Sequence, residues 1–151
     1  MKITKLHIPE SANSPEIDFD PEKGMLVLKG KSIPENATKL YEPIIEWLKE
    51  YIKHPTEKTY LHFNLSYFNT ASSIWMARMV KVLSRIDDRE KLLTINIYFH
   101  IEEYDEMDDE DMQDAISMIL KVINDATVSL GTKILGIDDD GTILKERLIL
   151  L

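Results

Sequence analysis

The sequence predicts a single α/β domain in which about three helices pack on a mixed β-sheet. The chain has 151 residues, of which 44% are hydrophobic and 30% are charged, and this composition lets one domain fill a core and stay in solution. Residues 60–68 alternate between apolar and polar side chains, as a half-buried strand does. Segments with helical spacing of apolar residues lie on both sides of that strand. Strands and helices that alternate along a chain are typical of α/β domains.

The amino-terminal part predicts a β-hairpin. Residues 25–28 form a short apolar run, and the Asp-Pro-Glu-Lys-Gly sequence of residues 20–24 before them is typical of a turn. A strand around residues 17–19 would pair with this run, and residues 5–8 form a further candidate strand. We therefore expect the chain to begin with two or three short strands.

The first helix is predicted to start in the segment Ser32-Ile33-Pro34-Glu35-Asn36. A cap-type residue, an early proline and an acid favour a helix start. Apolar residues then recur at helical spacing until His54-Pro55 ends the pattern: Leu40, Ile44, Trp47, Leu48, Tyr51 and Ile52. The spacing predicts an amphipathic helix of about four turns with one buried stripe.

The middle of the chain predicts a strand, a helix and a second strand. In the strand at residues 60–68, one face carries Leu61, Phe63, Leu65 and Tyr67. The polar cluster of residues 69–73 then precedes a helix that reaches about Ile86, with a stripe of Ile74, Ala77, Val80 and Leu83. Residues 92–100 alternate again. Because a helix separates the two strands, we expect a right-handed parallel crossover.

The carboxy-terminal part predicts a third helix and a closing hairpin. The acidic segment leads into this helix, whose apolar stripe consists of Met112, Ala115, Ile116, Ile119, Leu120 and Ile123. Acids in the first helical turn are favoured by the helix dipole. Residues 132–137 and 142–150 are apolar runs around the turn sequence Asp-Asp-Asp-Gly of residues 138–141.

The charge is concentrated in one place. The net charge is −9, from 18 basic and 27 acidic residues. Residues 102–114 hold nine of the acids and no base, so the rest of the chain is balanced at 18 acids and 18 bases. The sequence is therefore a neutral domain with one acidic segment. Since it has no basic face for phosphate backbones, we expect no nucleic-acid binding.

Cysteine usage and hydropathy indicate the compartment. The chain has no cysteine, which excludes a disulfide framework, a Cys-ligated metal site and a thiol nucleophile. The first residues become polar at once, and no stretch approaches the roughly 18 to 20 apolar residues of a spanning helix. We therefore expect a cytoplasmic protein that is neither exported nor inserted in a membrane.

No motif indicates catalysis. The five glycines form neither a dinucleotide fingerprint nor a phosphate loop. His62 and His100 are candidate neighbours on adjacent strands, but two histidines do not define a metal site, and they are interpreted as ordinary sheet-face residues. The acids of residues 105–114 and 138–141 lack the spacing of a calcium loop. We predict no catalytic residue, no metal site and no cofactor, and rank a metal-assisted hydrolase last.

Three hydroxyl residues form a candidate regulatory site. Thr70, Ser72 and Ser73 follow a predicted strand and start a predicted helix. A phosphate there would meet exposed N–H donors and a favourable dipole, and would add about −1.5 to −2 charge at one point of the surface. On sequence alone the simpler interpretation is that these hydroxyls only cap the helix.

A resemblance to a known family favours the regulatory interpretation of these hydroxyls. Four segments, taken in order, resemble the SiaC-like family of bacterial regulatory phosphoproteins, whose namesake regulates biofilms. These segments are Ser32-Ile33-Pro34-Glu35-Asn36, Leu40-Tyr41 with Trp47-Leu48, Tyr67-Phe68-Asn69-Thr70, and Asp108-Asp109-Glu110-Asp111-Met112. The match covers about residues 5–125 of a single domain, residues 1–151, and leaves residues 126–151 as an extension.

The resemblance implies a STAS-like domain, similar in design to the antagonists of anti-sigma factors, that acts by changing partners and has no activity of its own. It implies that a kinase phosphorylates the Thr of an Asn-Thr motif and that a PP2C-type phosphatase removes the phosphate. The unmodified protein would bind and activate a diguanylate cyclase, in cyclic di-GMP signalling. Carried onto this sequence, the phosphosite is Thr70, and the partner-binding residues are Pro34, Glu35, Asn36, Asn69 and Thr70.

Two departures from the family pattern leave alternatives open. The pattern continues Thr-Ser-Ser, whereas this chain has Thr70-Ala71-Ser72-Ser73, so Ser72 and Ser73 are alternative phosphosites. The extension either covers a sheet edge, forms a homodimer or alters the choice of partner. A different class of function is a constitutive binding or assembly module, in which Thr70 is only a cap and residues 102–114 contact a basic partner.

Overall fold

The computed structural model describes residues 3–123 and 126–149. In chain order, the elements are β1 (Leu6–Ile8), β2 (Glu16–Asp20), β3 (Met25–Ser32), α1 (Ala37–Tyr51), β4 (Lys58–Phe68), α2 (Thr70–Leu83), β5 (Leu92–His100), α3 (Ile101–Glu106), α4 (Asp109–Val122), β6 (Ser129–Ile137) and β7 (Ile143–Ile149). Among the residues so described, no helix is long and apolar enough to cross a membrane.

The strands form one sheet in the order β1-β2-β3-β4-β5-β6-β7. Strands β3 to β6 are parallel, whereas β1, β2 and β7 pair antiparallel with their neighbours. This confirms the predicted mixed sheet, with its amino-terminal hairpin, its parallel crossover from β4 to β5 and its carboxy-terminal hairpin. Each crossover steps to the next strand in the same direction. Because such connections are nearly always right-handed, their helices α1, α2 and α4 are expected on one face.

One core joins these helices to that face. Leu48 of α1, Met79 of α2 and Ile116 of α4 belong to the same buried cluster as Leu61 of β4 and Ile95 of β5. The alternation predicted for β4 is confirmed along most of the strand, because Leu61, Phe63 and Leu65 are all buried. Tyr67, which was predicted on the same face, is 59% exposed. It is the second-last residue of the strand.

The buried face of α2 differs from the predicted stripe. Ala77, Val80 and Leu83 are buried as expected, but Ile74 is 49% exposed. The inward face of the first turn is occupied by the buried residue Ser72. Since residues two positions apart on a helix point roughly 200° apart, an inward Ser72 turns Ile74 outward, to the side of the exposed residue Arg78.

The acidic segment leads into the predicted helix, which is α4, but its first part also forms a short helix, α3, that the sequence did not predict. At Met107 and Asp108, between α3 and α4, the backbone is extended. The Asp108 carboxylate accepts the Asp111 N–H at 2.8 Å, and the Asp111 carboxylate accepts the Asp108 N–H at 3.1 Å. This capping box starts a new helix inside the run of acids. Within residues 3–123 and 126–149 there are therefore four helices, where the sequence predicted about three.

The carboxy-terminal extension covers one edge of the sheet. β7 pairs with β6, and two of its cations contact the acidic helices: Lys145 Nζ lies 2.8 Å from Asp105 Oδ1, and Arg147 pairs with Asp109. Because both pairs are exposed, they orient the strand more than they stabilise the fold.

Of the predicted stripe of α4, Met112 and Ile116 are buried. The side chains of Ile119 and Leu120, and residue Leu150 of the hairpin, lie outside the described residues.

Two glycines of β6 allow a test of how closely α3 packs on the sheet. A Cβ on Gly136 would lie 2.9 Å from Tyr104 Cγ and 3.0 Å from Ile101 Cδ1, whereas a Cβ on Gly131 would meet nothing within 4 Å. We expect Gly136→Ala to lower the free energy of unfolding by about 1 to 3 kcal/mol, because α3 must move away from the sheet. Gly131→Ala should leave it unchanged or slightly higher. Urea denaturation checks both, and equal effects would contradict the close contact between α3 and β6.

Candidate functional site

Two of the four segments on which the family resemblance rests, residues 32–36 and 67–70, lie side by side. β3 and β4 are parallel, and their register places Ser32 opposite Phe68. The Asn69 N–H donates to the Ser32 carbonyl at 3.1 Å. Because both strands end here, α1 and α2 begin at the same edge of the sheet. We call residues 32–36 together with residues 69–73 the helix-start site.

A buried chain of hydroxyl groups joins three elements in this site. The Ser32 hydroxyl of β3 donates to Ser72 Oγ of α2 at 2.7 Å, and the Ser72 hydroxyl donates to the Ser32 carbonyl at 2.8 Å. Tyr41 Oη of α1 contacts Ser32 Oγ and, since the Ser32 proton is engaged, Tyr41 is the donor. Burial raises the pKa of Tyr41 and outweighs the opposing hydrogen bonds to Ser32 and Ser72. The phenol therefore stays neutral and keeps its proton for this bond.

Two asparagines cap the two helices. Asn69 Oδ1 accepts the Ser72 N–H at 2.9 Å, and the Asn69 carbonyl accepts the Ser73 N–H at 3.1 Å. Asn36 Oδ1 accepts the Lys39 N–H at 3.1 Å. The sequence placed Pro34 and Glu35 at the start of the first helix, but the helix begins one residue after Asn36. A side-chain cap needs a non-helical residue directly before the first turn, so Pro34 and Glu35 belong to the loop that leads into it.

The three candidate hydroxyls differ sharply in exposure. Thr70, the first residue of α2, is exposed. Ser72 is fully buried, and its hydroxyl is engaged in the network with Ser32. Ser73 is 9% exposed, and its hydroxyl donates to the Thr70 carbonyl at 2.7 Å. A modifying enzyme would therefore meet Thr70 first.

Exposed apolar residues precede and follow Thr70 along the chain and form what we call the apolar rim, which the sequence did not predict. Besides Tyr67 and Ile74, Phe68 is 43% exposed. Trp75 packs against the Tyr41 ring at 6.2 Å between centroids, and the Arg78 guanidinium lies 4.5 Å from the Trp75 ring centroid. Exposed large apolar side chains grouped around one polar residue are typical of a protein-binding surface. The alternation of β4 assigned Tyr67 to the core, and the spacing of α2 did the same for Ile74.

The histidines that were weighed as a metal pair do not meet. In the strand register, His62 lies beside Val27 of β3 and Asn96 of β5, whereas His100 lies beside Ile137 of β6. His62 Nδ1 lies 2.7 Å from Tyr98 Oη, and His100 Nε2 lies 2.8 Å from Asp139 Oδ1. Within residues 3–123 and 126–149, no group of three or more metal-ligating side chains comes together.

The acidic turn between β6 and β7 has a structural role. Asp138 Oδ1 accepts the N–H groups of Asp140 and Thr142 at 3.0 and 2.9 Å. The carboxylate thus satisfies the backbone of the turn, as aspartate does at many tight turns. The hairpin predicted from residues 138–141 is confirmed.

A family model described as "SiaC family regulatory phosphoprotein" matches residues 8–129. An uncharacterised protein of Pseudomonas aeruginosa (strain UCBPP-PA14) is 29% identical over 86 residues, which are 57% of this chain and 66% of that protein. The aligned part thus spans slightly less than two thirds of the relative.

Two crystal structures with proteins from Pseudomonas aeruginosa have the same fold. Apo-SiaC matches with a TM-score of 0.63 and 21% identity over 86% of this chain and 98% of its own. A chain in the complex of the diguanylate cyclase SiaD with its activator SiaC matches with a TM-score of 0.65 and 21% identity, over 84% of this chain and 97% of its own. These likenesses show that the chain has the α/β fold of the SiaC structures.

The hydroxyl network predicts that two neighbouring serine substitutions differ in their effect on stability. Ser72→Ala leaves the buried Ser32 hydroxyl without its acceptor, so we expect the free energy of unfolding to fall by about 1 to 3 kcal/mol. Ser73→Ala removes only a bond within one helical turn, and its effect should stay within about 0.5 kcal/mol. Guanidinium denaturation compares the two variants. Equal losses would show that the network does not hold the site together.

The burial of His62 predicts that the stability of the fold depends on pH. Burial lowers the pKa of His62, so the unfolded chain binds the imidazole proton more readily than the folded protein does. The free energy of unfolding therefore decreases as the pH falls below the ordinary imidazole pKa of about 6.5. His62→Gln removes this contribution, and its stability should fall less than that of the wild type from about pH 8 to about pH 5. Urea denaturation at several pH values measures both slopes, and identical slopes would contradict the assignment.

Proposed function

The chain belongs to the SiaC family of regulatory phosphoproteins, and we propose that it is a non-enzymatic partner switch controlled by phosphorylation of Thr70. In this proposal a Ser/Thr kinase adds the phosphate and a PP2C-type phosphatase removes it. The unmodified protein binds and activates a partner enzyme. A diguanylate cyclase is the first candidate, because SiaC of Pseudomonas aeruginosa is described as the activator of the cyclase SiaD. The protein would then act in the bacterial cytoplasm, in cyclic di-GMP signalling and biofilm regulation.

The observation that carries the proposal is the exposure of Thr70. Its side chain is accessible at the first residue of α2, while Ser72 and Ser73 are buried against the strand and the helix. A kinase must bring the acceptor hydroxyl into its own active site, which a buried and hydrogen-bonded serine prevents. The geometry therefore favours Thr70 over the two alternative phosphosites.

The surroundings of Thr70 explain how a phosphate would control binding. A partner that covers Tyr67, Phe68 and Ile74 must also remove Thr70 from water. For a neutral threonine this desolvation costs little free energy. Phosphorylation adds about −1.5 to −2 charge at that point, and removing such a group from water without a matched cation is strongly unfavourable. The start of α2 meanwhile favours the negative charge through its dipole. The modified protein is thus stable on its own but unable to dock.

Pro34, Glu35, Asn36 and Asn69 complete the proposed binding surface. Glu35 and Asn36 are exposed in the loop before α1, and the pairing of Ser32 with Phe68 holds this loop beside Thr70. Asn69 has a supporting part, because its two hydrogen bonds to the first turn of α2 fix the direction in which Thr70 points.

The alternative of a constitutive module that uses its acidic segment is weakened by β7. Asp105 and Asp109, from the two acidic helices, already pair with Lys145 and Arg147 of the same chain. A basic partner would have to compete with these internal cations. Part of the negative charge that suggested this alternative thus orients the carboxy-terminal strand instead.

Partner capture with variants of Thr70 tests the proposal. Immobilised wild type and Thr70→Ala should both retain the partner enzyme from a lysate of the native host, while Thr70→Glu should retain at least about fivefold less, because the carboxylate carries part of the charge of a phosphate. Thr4→Glu, at an exposed threonine outside the helix-start site, is the matched control and should bind as the wild type does. Captured proteins are identified and quantified by mass spectrometry. Equal retention by Thr70→Ala and Thr70→Glu would count against the switch.

A further inference from the structure

The sheet divides between its two central strands. The pairing of β4 with β5 ends at Phe63 and Ile97. Beyond that point β4 continues to Phe68 along β3, and β5 continues to His100 along β6. The two strands therefore separate at their carboxyl ends and leave a cleft of about 460 Å³ between them.

The walls of this cleft are strand edges. In a parallel ladder, alternate residues of a strand direct both backbone groups toward the same neighbour. Residues 64–68 and 98–100 thus present N–H and C=O groups to a gap in which the other strand does not pair with them. Unpaired strand edges are templates for a further strand, and here two such edges face each other. An extended segment between them would bond to both sides.

An apolar pocket of about 200 Å³ adjoins the cleft on the side of the helices. Leu65, Phe68, Tyr98 and Phe99 line both the cleft and the pocket, so the two spaces are adjacent. Ala115 of α4 lies at the wall of the pocket. Because successive side chains of a strand point to opposite faces, alternate residues of an inserted segment would point into this pocket.

The rim of the cleft is acidic. Glu103, Asp138 and Asp139 line it, and the described lining residues include no Lys or Arg. The one basic side chain among them, His100, is already hydrogen-bonded to Asp139. A segment that carries cations beside its apolar residues complements this rim.

We propose that the cleft between β4 and β5 binds an extended peptide segment of a protein partner, with apolar residues directed into the pocket between α2 and α4 and with Lys or Arg beside them. This is a β-strand addition, in which main-chain hydrogen bonds give affinity and the pocket gives specificity. The inference deepens the proposed function, because Phe68 lines the cleft two residues before Thr70. Only the regulatory role of peptide binding rests on the proposed function. The binding itself is measured on the unmodified protein and does not depend on phosphorylation.

The direct test uses a synthetic peptide and NMR spectroscopy of the full, unmodified chain. The probe is the acetylated, amidated peptide Lys-Val-Lys-Leu-Lys-Val. We expect saturable shifts of the backbone amide signals of residues 64–68 and 98–100. A probe methylated at every backbone nitrogen loses the donors for both strand edges, and a probe with Glu in place of Lys has the opposite charge. Each should bind at least about tenfold more weakly.

A pair of variants tests the pocket. Ala115→Leu fills it and should weaken binding of the unmodified probe at least about tenfold. Ala12→Leu adds the same volume at an exposed loop position and should leave binding unchanged. Thermal melts of both variants confirm that they are folded. The methylated probe keeps the proposal testable on the wild type if Ala115→Leu does not fold.

Three outcomes would overturn the proposal. The first is the absence of shifts at saturating probe, and the second is equal binding of the methylated and unmethylated probes. The third is that the same amide signals shift with protein concentration alone, which would make a second copy of this chain the occupant. None of these results bears on modification of Thr70, so failure of the peptide site is distinguishable from failure of the switch.

Discussion

The buried hydrogen bonds among Ser32, Tyr41 and Ser72 fix the place where two strands end and two helices begin. Ser32 ends β3, Tyr41 belongs to α1 and Ser72 lies in the first turn of α2, so the network ties three elements at one point. It also decides which way α2 faces. Since residues two positions apart on a helix point roughly 200° apart, an inward Ser72 requires an outward Thr70. The exposure of the proposed phosphosite is thus a consequence of a buried structural bond.

The same arrangement links the fold to its proposed regulation. Parallel strands connected by helices on one face bring the carboxyl ends of β3 and β4 and the starts of α1 and α2 to a common edge. Tyr67 and Phe68, the last two residues of β4, are exposed there. A phosphate on Thr70 would be accommodated by its own helix and opposed by any partner that covers this apolar rim. Control of binding by one charge needs no rearrangement of the domain.

The sequence predicted the regular part of this structure well, because it depends on local periodicity. The alternation of β4 and β5, the stripe of α1 and the turn chemistry at residues 138–141 each reflect backbone geometry directly. The errors have tertiary causes. Ile74 was assigned to the core because the spacing of α2 does not reveal that Ser72 is buried by hydrogen bonds across to β3. The break at Asp108 was missed because a capping acid within a run of acids has no distinctive composition. The spacing of residue types along the sequence does not indicate that Thr70 is more exposed than Ser72. It also does not indicate that β4 separates from β5.

Peptide mass spectrometry locates the phosphate that the proposed switch requires. The protein is purified from its native host with phosphatases inhibited, under several growth conditions, and the peptide that contains residues 69–73 is fragmented to locate any phosphate. We expect a phosphate on Thr70 in a fraction of the molecules that changes with growth condition, and none on Ser72 or Ser73. A phosphate on Ser72 would contradict the structural argument, because that hydroxyl is buried in the network with Ser32. A chain unmodified under every condition would contradict the switch itself and favour a constitutive binding module.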